Sequence, residues 1–384
     1  MNPGSPGVAS RKVDVSGGGS ATLFLCGDVM TGRGVDQVFA RSCPPLLHES
    51  NVASALDYVD LAERAHGPIP RPVGHSYVWG DALRMLELAA PHVRIVNLET
   101  AVTTSEDFLP KGINYRMHPA NVGVLRAARI DCCSLANNHS FDWGRPGLCE
   151  SIDTLTRAGI AIAGAGHDLA QAQAPAVLSI PSGGRILVFG LCTADCGIPE
   201  SWAASRSRPG VHLVARLDGE SATRIGEIVR AVKRAEDVAV ASIHWGGNWG
   251  FEIPDEHRMF AHALIERAAI DIVHGHSAHH PKAIEVHRGH LILYGCGDFL
   301  DDYEGISGYE RYRDDLVLMY LAAVRVPGGE LLRLEMTPLQ IRNFRLSRAS
   351  AGDRSWLRGV LDRECRRFGG RVDHANEKLV LRCH

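Results

Sequence analysis

Separate apolar runs in this chain each stop on a residue able to bind metals or move protons. ATLFLC (21–26) leads into Gly27-Asp28, VRIVNLE (93–99) closes on Glu99, and DCCSLA (131–136) runs into Asn137-Asn138-His139. DVAVASIHW (237–245) carries His244, and IDIVHGH (270–276) ends on His276, with His279 close behind. Short apolar runs bounded by turn residues read as buried strands. Helical patterns lie between them, near 52–65, 80–90, 119–129, 145–158 and 256–269. In 219–236, Ile225, Ile228, Val229 and Val232 form one apolar helical stripe. The carboxyl ends of strands in α/β sheets open onto a common crevice. Residues as distant in sequence as Asp28 and His279 are therefore expected to meet.

Taken singly, each of these residues has an ordinary explanation. Asp28 suits a turn or helix cap, Asn138 an Asx turn, and His244 a core histidine. Their conjunction resists that reading, because a buried cluster of histidines and carboxylates is costly unless paired or bound to a cation. Mixed imidazole, carboxylate and amide donors suit one or two divalent ions such as Mn, Fe, Zn or Ca. Asp28, Glu99, Asn138, His244, His276 and His279 are the candidate ligands, and His139 with Asp142 and His279 with Asp28 are the candidate acid/base pairs. Asp142, three residues past His139, either orients that imidazole or caps the following helix. Lys111 and Arg116 are candidates for gripping an anionic substrate group. Trp245, Asn248 and Trp249, in a Gly-rich segment after His244, are candidates for a substrate wall. Asp298, Asp301 and Asp302 follow a later strand and offer further carboxylates.

After residue 282 the texture changes to strands separated by turns: AIEVHRG, HLILYGCG, DLVLMYLAAV and LLRLEM. Alternating strands and helices followed by a run of strands predict an α/β fold of two stacked sheets covered by helices. A helix is expected over 352–368 and a short strand near 378–382. Residues 1–20 are rich in Gly, Ser and Pro with no apolar stretch, which predicts a disordered tail rather than a secretory signal. The main domain is expected over 21–345, with 346–384 packed on it as an extension. A formal charge of −3 gives no basic face for nucleic acid. Arg363, Arg366, Arg367 and Arg371 read as a solvated helix face. Scattered cysteines, several within apolar runs, suit a reducing compartment. Cys192 and Cys196 carry only a weak metal or redox signal. With no run of eighteen apolar residues, no membrane span is expected, and the chain reads as cytoplasmic.

Five segments in order, CGDVMTGRGVD (26–36), VNLETAVT (96–103), SLANNHSFDWG (134–144), IHWGGNWG (243–250) and GHSAHHPKAIEVHRGHLILYGCGDF (275–299), resemble the CapA-like family of capsule and poly-γ-glutamate synthesis. That resemblance implies a calcineurin-like four-layer αββα sandwich of two mixed sheets. It also implies a divalent metal held by Asp28, Glu99, Asn138, His244, His276 and His279, with His139 as acid or substrate contact. Departures from the metallophosphoesterase pattern are plain. The first motif reads Asp28-Val29-Met30 rather than Asp-x-His, Glu99 replaces an aspartate, and the closing pair is spaced GHxxH, with His280 clouding the register. The activities implied are metal-assisted acid/base chemistry on a peptide, polyglutamate-type or phosphoester substrate, or epimerisation of the C-terminal residue of a ribosomal (lasso) peptide precursor. A non-catalytic scaffold of the same fold is the third reading.

Overall fold

The computed structural model describes residues 19–181 and 183–383. The tail expected over 1–20 lies outside the described residues except for Gly19 and Ser20, which begin the first strand. Two mixed sheets dominate. The ten-stranded sheet runs Gly370–Ala375, Lys378–Cys383, Leu331–Arg342, Leu316–Val326, Gly19–Val29, Val93–Leu98, Cys132–Ser134 and Ala161–Ala163. Asp298–Leu300 also pairs with Gly19–Val29, and Arg345–Arg348 with Leu331–Arg342. The seven-stranded sheet runs Leu213–Val214, Arg185–Thr193, Val238–His244, Ile272–His276, His290–Leu293 and Ile284–His287, with Ala176–Ser179 beside Arg185–Thr193.

Three apolar clusters explain why these sheets stack. Successive strand residues point to opposite faces. In the first strand, Leu23 and Leu25 enter a core shared with Val238, Val240 and Ile272 of the other sheet. Their neighbours Phe24 and Cys26 join Leu86, Leu148 and Leu155 under the helices Asp81–Ala89 and Gly144–Arg157. On the far side, Ala239, Ala241 and Val273 pack against Ile225, Val229, Phe260 and Leu264 of the helices Gly219–Val232 and Asp255–Ala268. The order is therefore helices, sheet, sheet, helices. Strands buried on both faces need apolar residues at every position, which is why these runs show no alternation in sequence. Each fully buried Leu, Ile or Phe contributes about 1.5–3 kcal/mol.

Several expected elements shift. The helix expected near 119–129 is a short 3-10 turn, Pro119–Val122, followed by Gly123–Ala127. The apolar run IAIAGAG (160–166), which reads as one strand, is broken at Gly164, whose φ of +83° and contact with the Gly190 backbone exclude a side chain. The C-terminal segment is a helix, Ala351–Cys365, and a hairpin, Gly370–Ala375 with Lys378–Cys383, that pairs with Leu331–Arg342. The first hairpin strand carries too few apolar residues to be read from its sequence. All ten cysteines are free thiols, and Cys132 and Cys133 enter opposite cores. Among the described residues no helix is long and apolar enough to cross a membrane.

His212 carries a pH dependence of stability. Its ring is buried, its Nδ1 has no hydrogen-bond partner, and burial pushes its pKa down to about 4. The folded protein holds this imidazole neutral, while the unfolded chain protonates it below about pH 6.5. Its contribution is thus complete above pH 6.5 and is lost as pH falls toward 4. We predict a loss on the order of 3 kcal/mol from this residue across that window. Denaturant titrations at pH 7 and pH 4.5 should show a smaller difference for His212→Leu than for wild type. Equal differences would remove His212 as a source of acid sensitivity.

Candidate metal centre

Strand parity carries the core pattern into a polar site. Val93 and Ile95 face the second sheet, so Asn97, and Glu99 just past the strand end, continue on that inner face. Val238 and Val240 face the first sheet, which places Ser242 and His244 inward; Ile272 does the same for His274 and His276. The polar centre is the continuation of the inter-sheet core at one end.

Asp28 reaches it through an irregularity. Leu23 and Leu25 face inward, so strict alternation would send Asp28 outward with Phe24 and Cys26. The pairing with Val93–Leu98 shifts register between Leu25 and Asp28, a β-bulge that reverses the parity. Gly27 sits inside this bulge, where a Cβ would fall 1.6 Å from the Gly297 carbonyl oxygen. Glycine is required because two backbones meet there. The Asp28 backbone N–H donates to that carbonyl at 3.0 Å. In consequence Asp28 lies between Asn97 on one neighbouring strand and Asp298 on the other.

The side chains then converge. Asp28 accepts from Asn97 Nδ2 at 2.7 Å and from the Ser277 backbone N–H at 3.2 Å. His244 Nδ1 and His276 Nδ1 approach to 2.9 Å, so the two nitrogens cannot both carry protons. Ser242 Oγ contacts His276 Nε2 at 2.9 Å, which fixes that ring. His276 Nδ1 lies 3.9 Å from Asp28 Oδ1, and His244 Nε2 3.9 Å from Glu99 Oε1. Ligand atoms of Asp28, His244 and His276 fall within 4.8 Å of one another, as do those of Asp28, His279 and Asp298. The two sets share Asp28.

Electrostatics at this point are unbalanced within the protein alone. Burial, together with the charge of Asp28, pushes Glu99 well above the usual carboxylate range. Asp28 itself is raised by burial, against hydrogen bonds from Glu99 and Asn97. Burial lowers both His244 and His276 well below an ordinary imidazole. His244 Nε2, Asn138 Oδ1 and Asp298 Oδ2 are buried with no hydrogen-bond partner. Buried polar atoms are normally satisfied. Orphaned nitrogen and oxygen acceptors beside two carboxylates fit a divalent cation, and the mixed N/O set suits a first-row metal better than magnesium.

Two histidine–carboxylate pairs flank the centre. His139 Nδ1 lies 2.7 Å from Asp142 Oδ2, and His139 Nε2 lies 3.7 Å from Glu99 Oε1. Asp142 also accepts from Lys111 Nζ at 2.6 Å and from the Tyr115 backbone N–H at 2.5 Å. It orients His139, and the residue before the helix Gly144–Arg157 is Trp143. Burial pushes His139 down to about 4, with Asp142 opposing and Lys111 reinforcing the shift. On the Asp28 side, His279 Nδ1 contacts Asp298 Oδ1 at 2.9 Å. Tyr115 and Tyr303, joined through their hydroxyls at 2.8 Å, stand edge-on to His139 and His279 respectively.

Not every sequence candidate reaches the centre. Trp245 alternates with inward-facing His244, so it points to the helix side, stacked between His257 and Tyr294 in a dry core. Arg116 is buried, donates through Nη1 to the Ser105 carbonyl at 2.7 Å and lies over the Trp143 ring. Lys111 is committed to Asp142 and the Asn138 carbonyl. Asn248 is exposed and accepts the His279 backbone N–H, while Trp249 stands 5.3 Å from the His279 ring. His280 turns aside to accept the Gly250 N–H at 3.1 Å. Asp302 is neutralised by Arg33, and Asp301 accepts the Tyr303 N–H. Conversely, Asn97 joins the site as the residue two before Glu99 on the same strand face, a signal that periodicity alone provides. Asp298 pairs with His279 and joins the second ligand set.

A layered α/β protein with a histidine- and carboxylate-lined centre at its strand ends is the class these features define. The sequence pattern of the family described as "Bacterial capsule synthesis protein PGA_cap" matches residues 22–303, and the chain belongs to that family. A relative in Mycobacterium tuberculosis strain H37Rv, named "Probable polyglutamine synthesis accessory protein", is 46% identical over 361 residues, covering 94% of this chain and 95% of the relative. "PGA biosynthesis protein CapA" of Bacillus subtilis strain 168 is 27% identical over 317 residues, 82% of this chain and 70% of its own. "Capsule biosynthesis protein CapA" of Bacillus anthracis is 24% identical over 232 residues, covering 60% of this chain and 53% of the relative.

The bulge yields a direct test. Gly27→Ala forces the Gly19–Val29 and Asp298–Leu300 strands apart at the point that sets Asp28. We expect a loss of about 1–3 kcal/mol or more from overpacking, with a matching fall in melting temperature. A variant as stable as wild type would show that Gly27 does not hold Asp28 in place.

Proposed function

We propose that this protein is a metal-dependent enzyme that performs acid/base chemistry on the amide backbone of a polyglutamate-type polymer or peptide. The observation that carries this reading is the pair of His–Asp couples, His139–Asp142 and His279–Asp298, set on either side of the Asp28–Glu99 pair. A scaffold needs no such arrangement. The names of the relatives supply the substrate class.

Asp28, His244 and His276 would hold the cation, with Glu99 and Asn138 beside them. A bound divalent ion supplies Lewis acidity and lowers the pKa of a bound water. Asp142 accepts from Nδ1 of His139, and Asp298 from Nδ1 of His279, leaving each Nε2 as the working nitrogen. A neutral imidazole Nε2 takes a proton from the attacking water and hands that proton to the amine nitrogen as the C–N bond breaks, so the ring ends each turnover neutral, as it began. Trp249, stacked at 4.0 Å on the partly exposed Tyr309, stands beside His279 as a wall for the chain.

The same two couples favour a second reading. Epimerisation at a peptide Cα needs one base to remove the proton and one acid to return it from the other side. Cleavage makes new amino groups; epimerisation makes none.

Metal-loaded protein incubated with poly-γ-glutamate and with polyglutamine peptides should release primary amines. Asp28→Ala and His279→Ala should each lower that rate by about 100-fold or more while unfolding stays cooperative. Deuterium uptake at Cα from heavy water without amine release would select the epimerase. Neither cleavage nor exchange, with Mn, Zn, Fe or Ca supplied, would sink the enzymatic reading.

A further inference from the structure

A second group of metal-ligating side chains lies on the helix side of the seven-stranded sheet, away from the strand-end crevice. Its placement follows from two periodicities. His262 and Glu266 stand four residues apart on the helix Asp255–Ala268, so they share one face. Glu285 and His287 stand two apart on the edge strand Ile284–His287. Their alternates Ile284 and Val286 pack into the inter-sheet core, so Glu285 and His287 are turned toward that helix.

The four side chains interlock. His262 Nε2 lies 3.0 Å from Glu285 Oε1, and His287 Nε2 lies 2.8 Å from Glu266 Oε1. The two imidazole rings stack with centroids 3.8 Å apart and planes within 5°. Tyr294 donates its hydroxyl to Glu285 Oε2 at 2.6 Å, which fixes the carboxylate and leaves Oε1 facing the histidines. One ligand atom from each of His262, Glu285 and His287 lies within 4.8 Å of the other two.

We propose that His262, Glu285 and His287 form a second binding site for a divalent transition cation of the zinc type, distinct from the centre at Asp28. Two imidazoles and a carboxylate with one side open to water is a donor set that zinc accepts. Tetrahedral bonds near 2.1 Å require ligand atoms about 3.4 Å apart. Reaching that geometry requires the partly exposed His262 and His287 rings to rotate out of their stacked arrangement so that their lone pairs converge on the ion. Glu266 holds the His287 ring, as carboxylates behind metal-bound histidines do. The cation would clamp the helix that follows the His244 loop to the edge strand of the sheet. Its role is that of a staple, and the site takes no part in the proposed reaction.

Zn²⁺ alone, titrated into the metal-free full chain by calorimetry, tests this. The His262→Gln/His287→Gln double variant should lose one zinc equivalent and the melting-temperature rise that goes with it, while keeping the other. Asp28→Ala/His244→Ala should do the reverse, so failure of either site is read separately. Glu285→Gln, the mildest change, should weaken the peripheral equivalent about tenfold or more. Co²⁺ should give the Asp28→Ala/His244→Ala protein visible absorption bands that the His262→Gln/His287→Gln changes abolish. Zinc stoichiometry and affinity unchanged in the peripheral variants would overturn the proposal.

Discussion

The face that each strand turns toward the space between the two sheets decides everything at the polar centre. Leu23, Leu25, Ile95, Val240 and Ile272 bury that face over most of its length. At one end the same rows continue as Asn97, Glu99, His244 and His276, with no change of direction. The hydrophobic effect that stacks the sheets therefore also presses these polar groups together. Asp28 is the exception that needs its own device, the bulge at Gly27 against Gly297. Folding and site assembly are one event, because the core sets the spacing of the donors.

That coupling has an electrostatic consequence. Asp28 and Glu99 are buried side by side; burial raises both, and Asp28 raises Glu99 further, while the hydrogen bond from Glu99 lowers Asp28. Two carboxylates in a dry environment are costly unless a proton or a cation is shared. The imidazoles on the opposite sheet are driven toward their neutral, metal-ligating forms. Lone pairs thus face lone pairs across the gap, with His244 Nε2 and Asp298 Oδ2 unpartnered. A bound divalent ion would satisfy all of these at once. Lys111, seated on Asp142, keeps the neighbouring dyad in balance without entering the gap.

Much of this was legible in the chain itself. Strand-end positions exposed Asp28, Glu99, His244 and His276, since apolar runs mark strands and their ends mark a crevice. His139 with Asp142 was readable from a three-residue spacing. What could not be read was local geometry and late pairing. Nothing in Cys26-Gly27-Asp28 announces a bulge, which depends on a backbone arriving from Gly297. Asp298 becomes important only because a short strand pairs in parallel with the first. Trp245, readable from the sequence equally as a substrate wall or as plain packing, packs in the core for a reason that parity supplies: the neighbour of an inward histidine faces the helices. Arg116, a candidate in the sequence for gripping an anionic group, is held instead by the Trp143 ring and the Ser105 carbonyl. The strand Gly370–Ala375 had too few apolar residues to show itself before its hairpin partner was placed.

The central claim is that the inner rows of two sheets meet tightly enough to bind an ion. Crystals grown with Mn²⁺ and measured at the manganese absorption edge test it most directly. The account predicts an anomalous peak within bonding distance of Asp28, His244 and His276. A well-ordered structure with those side chains in place and no peak among them, for manganese and for zinc alike, would contradict it.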